Sequence, residues 1–99
     1  MNSGNNKINI SINMPQISDF FGIIIRMFYD EHNPPHFHAQ YGEYKCCIDI
    51  RTFSVIEGYL PARVLGLVIE WAILHKEELW KNWQKTEQKK PMSKIEPLH

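Results

Sequence analysis

The spacing of apolar residues changes once along this chain, at Pro61, and that change sets the fold class. Before Pro61, apolar residues come in short β-branched and aromatic runs broken by glycine, proline and aspartate. Residues 22–29, 36–41, 44–50 and 54–60 read as strands, because side chains of this kind suit a pleated, half-buried surface. The prolines at 34 and 35 separate the first two, since proline cannot donate to a ladder. After Pro61, which suits a first helical turn, Val64, Val68, Trp71, Ala72, His75, Leu79 and Trp83 recur every three or four residues. That pattern predicts an amphipathic helix of about 25 residues, on the order of 40 Å if straight. Such a length calls for a kink near His75-Lys76 or a projecting tail. Pro91 stops the helix, and Gly66 inside it implies close contact with the sheet. The expected fold is α+β: a four-stranded antiparallel meander with one long C-terminal helix packed on one face.

The 99 residues suffice for one core. Residues 1–13 read as an extension that adds to a sheet edge or stays mobile, and residues 14–99 as the single domain. Eleven basic and eleven acidic residues cancel, so no global field draws the chain to a polyanion or an anionic membrane. The apolar runs are too short to span a bilayer and the N-terminus lacks an apolar signal region, which together predict a cytoplasmic protein without a membrane partner. Cys46 and Cys47 are neighbours, so on a strand their side chains point to opposite faces and do not pair.

Gly42-Glu43 forms a two-residue connection, with glycine suited to the first central position of a type II′ turn. Counting outward, Tyr41 faces Tyr44, Ala39 faces Cys46 and Phe37 faces Ile48, an apolar set that belongs under the helix. The opposite face then receives His38 across from Cys47 and His36 across from Asp49. If Ile23, Ile25 and Met27 also point inward, Arg26, Phe28 and Asp30 join that outer face, along with Lys45 and Arg51.

His32-Asn33-Pro34-Pro35-His36-Phe37-His38 places three imidazoles and two prolines in seven residues, a density no ordinary core or surface requires. Two chemistries fit. His36 and His38 as an acid/base pair, His36 oriented by Asp49, with Arg26 and Lys45 holding phosphate, would suit metal-independent RNA cleavage. Alternatively, His36, His38 and Cys47, with His32 from the loop, could ligate zinc or another divalent transition metal. On a solvated sheet face, His36 and Asp49 could equally form a cross-strand pair with no function beyond a few tenths of a kcal/mol.

A family resemblance rests on several segments: Met14-Pro15-Gln16-Ile17-Ser18, Gly22-Ile23, Asp30 through Ala39 with its Pro34-Pro35-His36-Phe37-His38-Ala39 core, Glu70-Trp71-Ala72, Glu78-Leu79, Asn82-Trp83 and Ile95-Glu96-Pro97-Leu98. With these the chain resembles the bacterial domain of unknown function 4160 family from Met14 to its end. It departs from the common pattern with Glu31 where a second aspartate is usual and Phe53 where glycine is usual. The resemblance implies a small bacterial protein of a family suspected in toxin–antitoxin-like gene pairs. Taken with the register-derived pairing of His36, His38 and Asp49, it suggests a toxin-like component acting on RNA through these residues, with an antitoxin-like partner. The alternative is a non-catalytic metal- or protein-binding module. Trp71 and Trp83 belong to the core stripe of the helix. Trp80 falls away from it with Ile69, Ile73 and Lys76, a face expected to meet a partner or a second copy of the chain.

Overall fold

The structure, a computed structural model, describes residues 15–99. The N-terminal extension expected at residues 1–13, and Met14, lie outside the described residues. Five strands, β1 (Gln16–Phe20), β2 (Ile23–Arg26), β3 (His36–Tyr41), β4 (Tyr44–Asp49) and β5 (Val55–Gly58), form one antiparallel sheet in sequential order. Two helices follow, α1 (Ala62–Leu74) and α2 (Lys76–Glu87). The architecture is α+β with an antiparallel meander, but with five strands where four were expected and two helices in place of one. No helix among the described residues is long and apolar enough to cross a membrane.

The additional strand is β1, whose five residues are too few and too polar to show a period. Its partner is supplied by a tight turn at Phe21-Gly22, with φ of 52° and 80°. Positive φ at both central residues is what a type I′ hairpin needs, yet phenylalanine in the first position hides the signal. Ile17 and Phe20 are buried, and the C-terminal segment closes over the strand where the Ile95 amide donates to the Ile17 carbonyl at 2.8 Å.

The β3–β4 register is the one the Gly42 turn predicts, with Tyr41 opposite Tyr44, Ala39 opposite Cys46, Phe37 opposite Ile48, His38 opposite Cys47 and His36 opposite Asp49. Gly42 carries the positive φ, 59°. Ile23, Ile25, Met27, Phe37 and Ile48 are fully buried on the helix side. Trp71 of α1 is equally buried, its ring 5.4 Å from Phe20 and 5.9 Å from Phe37, and its indole N–H donates to the Glu96 carbonyl at 2.8 Å.

The helix breaks at His75, whose φ of −121° is not helical. A straight rod of this length would outrun the sheet. The break keeps Leu79 and Trp83 on the core and takes α2 to the rim where β3 begins. Two expectations about the helical region, on Trp80 and Gly66, are corrected. Trp80 is not an exposed tryptophan but is partly buried against the core. Gly66 lies on the exposed side with nothing within 4 Å of where a Cβ would stand, so sheet contact does not explain it. His75 sits at the edge of the apolar side as the spacing predicts, its side chain largely buried with the ring 5.6 Å from Trp71, and its Nδ1 meets the Glu78 carboxylate.

Candidate functional site

The strand alternation sends His38 and Cys47 to the sheet face away from α1, side by side on β3 and β4. His38 Nδ1 and Cys47 Sγ are 3.3 Å apart. Phe28 stacks on the other side of His38, ring centroids 4.2 Å apart and nearly parallel. His36 begins β3. Its ring is not on the open outer face expected from the register, because α2 has turned to meet it: Trp83 lies 5.5 Å away and His36 is buried.

The carboxylate that joins the two imidazoles is Glu31, not Asp49. A single Glu31 oxygen lies 2.6 Å from His38 Nε2 and 3.1 Å from His36 Nε2. Asp49 stands opposite His36 in the ladder, yet its side chain turns toward the next loop. There it accepts from the Arg51 backbone amide at 2.7 Å and from the Arg51 guanidinium at 3.2 and 2.9 Å. These bonds hold its carboxyl below the usual carboxylate range, with burial opposing them. The assignment of Asp49 as the group orienting His36 is therefore corrected; Asp49 organises the turn into β5. His32, expected from the loop as a metal ligand, is exposed and outside the cluster.

His36, His38 and Cys47 each offer a ligand atom, all within 4.8 Å of one another, a group that could hold a metal ion. Two ligands at a tetrahedral zinc stand about 3.3–3.7 Å apart, so closing the set needs roughly an ångström of movement. The donor chemistry can be followed atom by atom. His36 Nδ1 donates to the Pro34 carbonyl at 2.7 Å, since a carbonyl only accepts. That places the lone pair of a neutral His36 on Nε2, aimed into the cluster. Burial pushes the Cys47 thiol up to about 11, with Glu57 and Glu31 adding to the effect, so the sulfur carries its proton and donates to His38 Nδ1. His38 Nε2–H then donates to Glu31. Burial acts to raise the Glu31 carboxyl, but the hydrogen bonds and charges of His38 and His36 bring it below its ordinary value. A neutral His36 would thus turn a lone pair toward a carboxylate oxygen 3.1 Å away, and only a proton or a metal cation makes that contact attractive.

Arg26 and Lys45 lie on the same sheet face as His38 and line a small concavity beside it. Asp30, exposed, pairs with Lys89 at 2.6 Å instead of joining the cluster. The sequence pattern missed Glu31 because a loop residue has no period. Trp83 was legible as a core residue but not as the cover of His36.

The chain matches, over residues 22–84, the family described as a domain of unknown function (DUF4160). No match was found among curated proteins or among solved structures. Phe53, where the resemblance implies a glycine, has φ of 61°, a left-handed conformation that glycine takes without strain.

Proposed function

Starting from a chain that belongs to the DUF4160 family, whose description assigns no chemistry, we propose that it is a transition-metal-binding protein, with zinc the first candidate. His36, His38 and Cys47 are its ligands. The observation that carries this reading is the 2.7 Å bond from His36 Nδ1 to the Pro34 carbonyl. Metal-ligating histidines characteristically give their second N–H to a backbone carbonyl or a carboxylate, which fixes the tautomer and aims the lone pair. Two imidazoles and a thiol make a borderline donor set suited to zinc. Glu31 supplies the carboxylate of the outer shell. Metal binding would displace the Cys47 proton and supply the cation that the His36–Glu31 contact calls for.

Metal binding is favoured over two-imidazole RNA cleavage by the setting of His36. That ring is buried, its Nδ1 is engaged by Pro34, its Nε2 faces Glu31, and Trp83 covers it. A general acid or base must reach the proton it transfers. Only His38, half-buried, borders open space.

The test is cobalt(II) substitution of tag-free protein. Stoichiometric uptake with a thiolate-to-cobalt charge-transfer band is expected, the band absent in Cys47→Ser and uptake strongly weakened in His38→Ala. A folded protein that takes up neither cobalt nor zinc would overturn the reading. If that same metal-free protein cleaved RNA in a manner dependent on His38, the toxin-like nuclease reading would replace it.

A further inference from the structure

Two cations on the open sheet face are held beside His38 without an acidic partner. Arg26 sits opposite His38 on β2, and Lys45 sits opposite Gln40 on β4. Two cations on other parts of the surface are ion-paired, Arg51 with Asp49 and Lys89 with Asp30. Among the described residues, neither Arg26 nor Lys45 forms an ion pair. Arg26 donates instead to the neutral Gln40 side-chain oxygen at 3.0 Å, and the Gln40 amide nitrogen donates in turn to the Gly42 carbonyl at 3.2 Å. The guanidinium is thus oriented by a side chain that is itself anchored to the hairpin turn, and its charge stays uncompensated.

Arg26 and Lys45 face one concavity of about 80 Å³, walled by Phe28 and His38, whose lining contains no aspartate or glutamate. That volume is several times the roughly 15 Å³ needed to admit one water, which leaves room for a small anion. Glu57 lies on the far side of Lys45, in a separate, wider depression that also touches Cys47.

We propose that this concavity binds a small oxyanion, a phosphate or the carboxylate head of a small metabolite, between the Arg26 guanidinium and the Lys45 ammonium. Guanidinium groups match oxyanions with two parallel N–H donors, and a lysine supplies a point charge from the other side. The site shares His38 as a wall with the histidine–cysteine cluster, but its anion-binding donors are Arg26 and Lys45, so it does not require a bound metal.

The experiment titrates inorganic phosphate, and separately acetate, into metal-stripped and zinc-treated protein at constant ionic strength, following backbone amide shifts by NMR. Saturable shifts centred on residues of β2, β3 and β4 around Arg26, His38 and Lys45 are expected in both preparations. Lys45→Ala and Arg26→Gln, both at the surface of a folded sheet, should each weaken binding roughly tenfold or more, the worth of a hydrogen bond to a charged group. Phosphate against acetate distinguishes the two oxyanion sources. Absence of saturable shifts with either ion would overturn the proposal, as would binding that survives both substitutions or that appears only with zinc. Failure to take up zinc would overturn the metal reading alone and leave the phosphate titration of stripped protein intact.

Discussion

Replacing Asp49 separates an anchor of the β4–β5 turn from a catalytic partner of His36. The Asp49 carboxylate is buried and accepts three hydrogen bonds from Arg51, with the Thr52 backbone amide adding to their effect. The two guanidinium bonds count for little, because the Arg51 side chain is 55% exposed and water replaces what it loses. The bond from the Arg51 backbone amide at 2.7 Å is the one that shapes the turn. Losing a charge-assisted acceptor there should cost about 1–2 kcal/mol in Asp49→Ala, and less in Asp49→Asn, which keeps an amide oxygen for the backbone donor. The Asp49 carboxyl titrates lower in the folded chain than its ordinary 3.8. Its contribution is therefore fully present above that value and is lost as pH falls through the lower, folded value. Urea unfolding of wild type and Asp49→Asn should show a gap near neutral pH that narrows well below pH 4. The His36 ring environment, read by NMR, should not move in the variant. Equal stability of Asp49→Ala and wild type at neutral pH, or a displaced His36 in Asp49→Asn, would refute this account.

Two alanine substitutions should act in opposite directions. Gly66→Ala, in the exposed interior of α1 with open space around the new methyl, should raise stability by about 0.5–1 kcal/mol in thermal or urea unfolding. Gly58→Ala should lower it by roughly 2 kcal/mol or more, because φ is 82° and the added Cβ would stand 2.2 Å from the Lys45 carbonyl oxygen.

The amino-acid sequence by itself determined the local matters. Gly42 after Tyr41 sets a hairpin whose register follows by counting, because the side-chain period of a strand is two and the turn leaves no slack. The spacing from Val64 to Trp83 determined which helical face is buried, and the motif around Pro34-Pro35-His36-Phe37-His38 carried the family. The tertiary structure decided what depends on contacts distant in sequence. β1 exists because β2 and the tail at Ile95 complete it, not because its own five residues demand a strand. Glu31, and not His32 or Asp49, meets the imidazoles, because a loop has no period and its path is set by where its two ends are held. The break at His75 brings Trp83 over His36 and turns what the register presents as an open-face histidine into a buried, oriented one. A strand's pattern tells each side chain which face to take; only the packed chain decides what covers that face.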